Sequence, residues 1–476
     1  MLALAACSGV SGKGPHAPDR SADAGRDDAG HKPGGGGAHD AGPAIDSGLP
    51  SESAPRGSVR GVVYGVSRLD LVNVRVSAGG RAVTPGDAGF FVVPDAFAGG
   101  HIPVIASSPG YSSGYAYVGV LPGETTNVIL HLHRLDAQSI DDPSVPQTLL
   151  LGKNMDEGKL KLAADALQTV YGTPARGAIS VQSATLSVDE APGGMRVELP
   201  GSRQRFARLG MIELRVAQVT AQLTLSGGSA KLTFAATAPR DPKKPTDIYR
   251  FDEQAGVFRP YRTSLYDEAT HTFTLPIDAF GIYAAAEPLA EQSCANVRIT
   301  DSHGAPVPSV ALQYASEREG TQLLTDTAGQ ACLELQPSAA IHWRGFGRSD
   351  DGLFEVPLQD AMMSPADVLA CDSAMCADFG ESRGVNAKVA CVRGKIAATT
   401  PSDVQVSVTT NPATGALRHL RTGEGFCLDL DQAKTLRFVA DNFDCGQPID
   451  ISAAKAPRIC AEGSCLNIGT VKCTPQ

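Results

Sequence analysis

Eleven cysteines carry the most telling spacing in this chain, and ten of them lie between Cys294 and Cys473. Ten is even, which permits five disulfides and leaves Cys7 over. Such density in one third of a chain points to an oxidising compartment. Cys294, Cys332, Cys371 and Cys376 are 38, 39 and 5 residues apart, and Cys391, Cys427, Cys460 and Cys465 are 36, 33 and 5 apart. Two units with one cysteine order should share one bridge pattern. The pairing expected is Cys294–Cys332, Cys371–Cys376, Cys391–Cys427 and Cys460–Cys465, with Cys445–Cys473 taking the remainder, although sequence alone permits many others. Closing the longer loops stabilises by about 4 kcal/mol each in the chain-entropy model. In each unit the second Cys follows a Gly turn, where an earlier strand carries Phe90 or Phe91, so a bridge there would replace an aromatic core contact. Zinc is the competing chemistry. No C-x₂-C pair occurs and the Cys-x₄-Cys pairs have no nearby His, so no metal ligand is assigned.

Other chemistry-bearing groups are few. Gly110-Tyr111-Ser112-Ser113-Gly114 fits the G-x-S-x-G pattern. That motif needs a strand before the Ser and a helix after it, whereas Tyr115 to Val120 alternates like another strand. His131 and His133 are two apart on a predicted strand and so share a side, but no third metal ligand is evident locally; edge or surface histidines are expected. Asp252 and Glu253 are adjacent strand residues pointing to opposite faces, so they cannot flank one glycosidic bond. The Asp repeats near the N-terminus lack the ligand spacing of a calcium loop. The expectation is no catalytic, cofactor-binding or metal-binding residue, no cofactor, and a protein that is not an enzyme. The alternative is an envelope-associated hydrolase with an unrecognised site.

The elements that hold these residues read as strands. With 51 Gly, 32 Pro and scarce helical periodicity, the 476 residues suit many short strands and frequent turns. Thr84 to Val93 is an organising stretch: an Asp-Ala-Gly turn feeding Phe90 to Val93 into a core. The device returns at Thr325 to Gly329 before Cys332 to Leu335, and at Thr422 to Gly425 before Phe426 to Leu430. The predicted class is all-β, several tandem β-sandwich modules after a disordered tether. Residues 1–6 form a truncated leader and 7–57 the tether. A first sandwich spans 58–134, a β-rich middle domain 146–290, and disulfide-bonded sandwiches 291–385 and 386–476. Leu135 to Val145 reads as a linker, and Ala163 to Gln168 as a short turn or helix. Ser8 to Gly57 is Gly-, Ala-, Asp-, Pro- and Ser-rich and cannot offset chain entropy by burial; some fifty such residues span roughly 40 Å r.m.s.. A net charge of −10 and a pI near 5.5 argue against a nucleic-acid partner, which would want a basic face. No run approaches the roughly 18 apolar residues of a membrane-spanning helix.

Three stretches resemble known families. Gly61-Val62-Val63, Asn73-Val74-Arg75-Val76, Asp87 and Gly89 before Phe91, and Pro109-Gly110-Tyr111 together resemble the carboxypeptidase regulatory-like domain. That resemblance implies a transthyretin-like sandwich of about seven strands in the carbohydrate-binding-like fold class, without catalytic residues; no peptidase domain is recognisable. Leu209-Gly210-Met211 and Phe251-Asp252-Glu253-Gln254-Ala255-Gly256 resemble the segment that follows such modules in bacterial surface proteins and in animal relatives typified by cartilage intermediate layer protein. The Trp usual before that phrase is Ile248 or Tyr249 here. Leu4-Ala5-Ala6-Cys7 resembles the lipobox of bacterial lipoproteins, which implies lipidation at Cys7. Only six residues precede Cys7 and none is basic, so either the signal begins upstream or Cys7 is a residue of the tail. With Ser8 in place of Asp, the resemblance implies the outer membrane or cell surface. The function implied is a non-catalytic envelope lipoprotein that binds, adheres or scaffolds, with a lipid anchor and a polysaccharide or another envelope protein as partner.

Overall fold

The computed structural model describes residues 54–475 apart from 68, 87, 153–156, 193–205, 218–222, 290, 364–370, 372–375, 388, 398–404, 412–417, 422, 424, 432–434, 452–458 and 461–464. Cys7, most of the predicted tether and Asp87 lie outside the described residues. The chain is all-β; the helical segment among the described residues is one 3₁₀ turn, Leu71–Asn73.

Seven strands build the first sandwich: β1 (Arg56–Tyr64), β2 (Arg75–Ala78), β3 (Arg81–Val83), β4 (Phe90–Phe97), β5 (Gly99–Ser107), β6 (Gly114–Val120) and β7 (Thr125–His131). One sheet has the order β4-β1-β7, with β1 and β7 parallel, and the other β3-β2-β5-β6. Alternation decides what is buried: Val59, Val63, Phe91, Val93, Val128 and Leu130 face Val76, Val104, Ala106 and Val118 across the core. The turn before β4 requires Gly89. Its φ is +81°, and a Cβ there would sit 2.6 Å from the Val63 carbonyl oxygen.

Two later sandwiches repeat this strand order. In the third, Ser293–Thr300, Ala311–Ala315, Gly320–Leu324, Gln330–Leu335, Ala340–Ser349, Gly352–Met362 and Ala377–Arg383 take the places of β1 to β7, with Val385–Asn386 added at an edge. In the fourth the places go to Val389–Ile396, Gln405–Asn411, Arg418–Arg421, Gly425–Asp431, Thr435–Val439, Ile449–Asp450 and Leu466–Val471. The strand in the β1 place again pairs parallel with the one in the β7 place. Gly61 lies opposite Phe91 and Gly394 opposite Phe426. In both pairs the ring occupies the space of the missing side chain, a Cβ on the glycine falling 2.6 and 2.7 Å from the ring Cζ. The third sandwich reverses the sizes, with Val297 opposite Ala331. Volume is conserved across the pair while the residue types exchange.

All ten cysteines from Cys294 onward are bridged, but four of the five expected pairs are wrong. The bridges are Cys294–Cys376, Cys332–Cys371, Cys391–Cys465, Cys427–Cys460 and Cys445–Cys473; only the last agrees with the expectation. Register explains the correction. Ala295 pairs with Ala377 and Val392 with Leu466 in the parallel ladders, so Cys294 and Cys376, and Cys391 and Cys465, sit side by side one residue earlier. Their Cα atoms are 4.8 and 4.9 Å apart, inside the range a bridge requires. Cys294 and Cys332, by contrast, are diagonal: Cys294 is opposite Glu334, and Cys332 is opposite Asn296. Each Cys-x₄-Cys pair is therefore split between two bridges. Nor does the second Cys replace an aromatic core residue. Cys332 and Cys427 take the register place of Val92, on the outer face of the sheet, while Ala331 and Phe426 take that of Phe91. The two bridges of each unit lie against each other there, Cys332 Sγ 3.9 Å from Cys376 Sγ and Cys427 Sγ 3.5 Å from Cys465 Sγ. A carboxylate two residues past the strand cysteine accepts the N–H of its partner: Glu334 that of Cys371 at 2.8 Å, Asp429 that of Cys460 at 2.6 Å. Cys445–Cys473 instead joins the core of the fourth sandwich.

The second sandwich is larger. Its six-stranded sheet runs Val257–Ser264, Thr246–Asp252, Gly281–Pro288, Phe206–Ala217, Ile179–Thr185, Asp136–Ile140. The facing sheet runs Tyr266–Asp267, Thr272–Ile277, Ala230–Ala235, Gly158–Leu162, Gln147–Leu151. Asp136–Ile140, inside the stretch read as a linker, is thus an edge strand paired with Ile179–Ser183. Of Ala163 to Gln168, read as a short turn or helix, Ala163 to Ala166 is a turn, the Ala166 N–H donating to the Ala163 carbonyl at 3.2 Å, while Leu167 and Gln168 belong to a short strand, Leu167–Thr169, paired with Leu223–Leu225.

Candidate functional site

Strand β7 and the residues just past it join the first sandwich to the second and third. It is an edge strand, and its outward residues Asn127 and His131 face other sandwiches, as does the half-exposed His133 beyond its end. Asn127 accepts from Arg60 Nε at 2.9 Å and donates to the Ser309 carbonyl at 2.6 Å. The free N–H of Ile129 donates to Gln322 Oε1 at 2.9 Å. His131 Nε2 meets Gln313 Oε1 at 2.7 Å, and the Gln313 amide donates to the Asp189 carbonyl at 2.9 Å. Tyr64 on β1 donates to Glu355 at 2.5 Å and lies under the Arg344 guanidinium. Beside these polar bonds, Val62, Phe90 and Ile129 bury themselves against Ala311, Phe346 and Leu353 of the third sandwich and Val389 of the fourth. Phe90 and Phe346 stack at 5.6 Å.

The second sandwich grips both neighbours with one dipeptide. Asp189 Oδ2 pairs with His342 Nε2 of the third sandwich at 2.8 Å, and Glu190 Oε1 with His133 Nδ1 of the first at 2.7 Å. A local turn presents them: Glu190 Oε2 accepts from both the N–H and the hydroxyl of Ser187 at 2.8 Å. The bond to Glu190 raises the pKa of His133 above its ordinary 6.5, and the bond to Asp189 does the same for His342. Burial pushes Glu190 up, but its bonds to His133 and Ser187 outweigh that and hold it at about 2. Asp189 behaves likewise, the His342 bond overcoming burial to lower it. His131 is lowered by burial, which keeps it neutral.

A half-open cleft of about 300 Å³ lies where the three sandwiches meet. Tyr115 and Tyr117 of β6, Ile129 and His131 of β7, Val188 to Ala191, and Thr321 to Leu324 line it. The same two tyrosines seat the hairpin at Asp252. Tyr115 packs on the Phe251 ring at 5.1 Å, and Tyr117 donates to the Glu253 carbonyl at 3.2 Å. Gly256 packs so closely on Tyr117 that a Cβ would meet its ring at 2.1 Å.

The residues singled out for chemistry have structural tasks. The Ser112 hydroxyl accepts the main-chain N–H of His133 at 2.6 Å, and Ser112 stands before β6 with no helix following. His131 and His133 turn to different partners and do not converge. Asp252 caps its own turn, accepting from the N–H groups of Gln254 and Ala255 at 3.0 Å, and pairs with Arg259 at 3.2 Å. His303 pairs with Asp351 at 2.8 Å beside Asp301, whose carboxylate accepts two N–H groups of its own turn. Asp189, Glu190, Gln313 and His342 escaped sequence reasoning. The Ser-x-x-Glu spacing of Ser187 and Glu190, a helix-capping pattern by rule, was the available signal.

No family model matches this chain, and no curated protein matches it. Solved structures with some likeness include a Streptococcal ancillary pilin, 8% identical, covering 50% of this chain and 95% of that one at a TM-score of 0.22. The shaft pilin spaA from Lactobacillus rhamnosus GG is 10% identical over 39% of this chain and 98% of its own, at 0.21. The major pilin subunit of Bacillus cereus is 9% identical over 69% and 99%, at 0.15. At these scores the likeness carries no argument about what this chain does.

Proposed function

We propose that this chain is a non-catalytic protein of the bacterial cell envelope, anchored by lipid at Cys7, that binds or scaffolds toward a polysaccharide or another envelope protein. The first sandwich is taken as a carboxypeptidase regulatory-like domain, and the chain as four domains with the boundaries given above. The observation that supports this best is the triple use of one sandwich, tied to its neighbours by buried side-chain bonds. It supplies a stiff display unit whose serine, histidine and carboxylate candidates are spent on holding it together. The test is to incubate the full chain with isolated envelope fractions and with panels of ester, peptide and glycosidic substrates. Retention of the chain on polysaccharide or on an envelope protein, without turnover, is expected. Turnover abolished by a single substitution would establish the hydrolase instead. Fatty-acid labelling of the gene product with its upstream region tests the anchor; labelling unchanged in Cys7→Ser rules it out.

A further inference from the structure

We infer that the cleft between the first three sandwiches holds one pyranose unit of a glycan; this deepens the binding reading above and rests on it. At about 300 Å³ the cleft is at the small end of ligand sites, and its walls mix ring and aliphatic faces with unspent hydrogen-bonding groups. Gln322 uses its carbonyl oxygen on the Ile129 N–H, which leaves its amide as donor. Asp189 uses Oδ2 on His342, which leaves Oδ1 as acceptor. Neutral His131 spends Nε2 on Gln313, and Thr321 adds a hydroxyl. The cleft therefore offers both donors and acceptors, as vicinal hydroxyls require.

Charge narrows the ligand class. Among the described residues lining the cleft there is no Lys or Arg, and Asp189 and Glu190 are already paired with His342 and His133. A phosphate or carboxylate would meet two carboxylates and no free cation; a neutral ring meets no such penalty. Tyr115, Val188 and Leu323 supply the apolar faces that a pyranose ring covers with its C–H side. Four consecutive residues, Thr321 to Leu324, line the cleft, so Gly320–Leu324 presents its edge, and it is the end strand of its sheet. Because the walls come from three sandwiches, an occupant would tie them together and stabilise the fold by linkage.

Methyl glucoside, methyl galactoside, methyl mannoside and N-acetylglucosamine are titrated against the full chain by calorimetry and ligand-observed NMR, to about 50 mM, the range of weak single-sugar contacts. At least one binds with a millimolar dissociation constant and raises the melting temperature. Gln322→Glu keeps the acceptor for Ile129 but removes the amide donors, and Thr321→Val keeps shape but removes the hydroxyl. Both lower affinity at least tenfold, with the unliganded melting temperature of Thr321→Val unchanged. Binding that persists in both variants, or no binding of any of the four sugars, overturns the site. If envelope polysaccharide is still retained in either case, the wider binding reading stands and only the cleft is wrong. If neither sugar nor envelope fraction binds, both fail.

Discussion

The first sandwich and the two disulfide-bonded ones share a strand order but settle the outer face of the three-stranded sheet in opposite ways. Where the third has Cys294, Cys332 and Cys376, and the fourth Cys391, Cys427 and Cys465, the first has Ser58, Val92 and Thr125. The outer face of the first is covered: Val62 and Ile129 are buried against the third sandwich. The corresponding faces of the others are only partly covered: Val389 at the start of the fourth joins the same buried cluster, but Asn296, Arg298, Arg393 and Lys395 are exposed. A seven-stranded sandwich of this size has a modest core. One copy gains the missing stabilisation by burial between neighbours, the other two by bridging register neighbours. The cysteines therefore mark the copies whose outer face carries exposed residues beside the bridges.

The largest effect should come from removing the bridge that spans a parallel ladder. Cys391→Ala with Cys465→Ala opens a loop of 74 residues and should cost about 4 kcal/mol, read as loss of the fourth sandwich in thermal melts or limited proteolysis. Phe346→Ala attacks the covered face instead. Its ring is fully buried against Phe90, and the expected loss is about 3–5 kcal/mol, with first and third sandwiches weakened together. Equal damage confined to the third sandwich would mean that the covered face contributes little. Exchange of the paired sizes in the first sandwich is smaller. Phe91→Ala should destabilise by about 3 kcal/mol and Gly61→Val by about 1–3 kcal/mol, while the double variant should recover only part of the sum, because a Cβ at Gly61 would still meet the Val128 carbonyl oxygen at 2.5 Å.

The acidic dipeptide should give the smallest effect, and its pH dependence has a definite shape. His133 and His342 have raised values, so their contribution is complete below 6.5 and is lost as pH rises through the folded values. Glu190 and Asp189 are lowered, so theirs is complete above 4.5 and 3.8 and is lost as pH falls through the folded values. The two pairs are strongest between roughly pH 4.5 and 6.5. His131 works the other way: lowered by burial, it favours the fold above 6.5 and disfavours it as pH falls. His131→Gln should therefore shift the pH of maximum melting temperature downward. His133→Gln should cost at most about 1 kcal/mol, since that pair is partly solvated; it should flatten the fall above pH 6.5 that His133 itself causes and also the fall below pH 4.5, because the lowered value of Glu190 depends on that bond.

Strand positions, Gly turns and the repetition of the sandwiches were legible because period-2 burial and positive-φ turns are local. Phe90 to Val93, Cys332 to Leu335 and Phe426 to Leu430 fall within the observed strands for that reason. Bridge partners were not legible, because Cys294 and Cys376 become neighbours only once a parallel ladder is in register. Asp136–Ile140 looked like a linker because its side chains are mostly polar; it is an edge strand with one neighbour. The junction was the least legible part. Nothing in the sequence near Asp189 and Glu190 indicates that their partners lie on β7 and on Ala340–Ser349, since those contacts depend on how whole sandwiches pack.

Amide hydrogen exchange on the full chain, with and without an external dithiol, tests the contrast most directly. Reduction should strip protection from Ser293–Thr300 and Val389–Ile396, the central strands beneath the bridges, while Val59 to Val63 of β1 and the second sandwich hold longer. Loss of protection in β1 first, or no change in the two bridged strands, would contradict the division between a sheet held by burial and sheets held by disulfides.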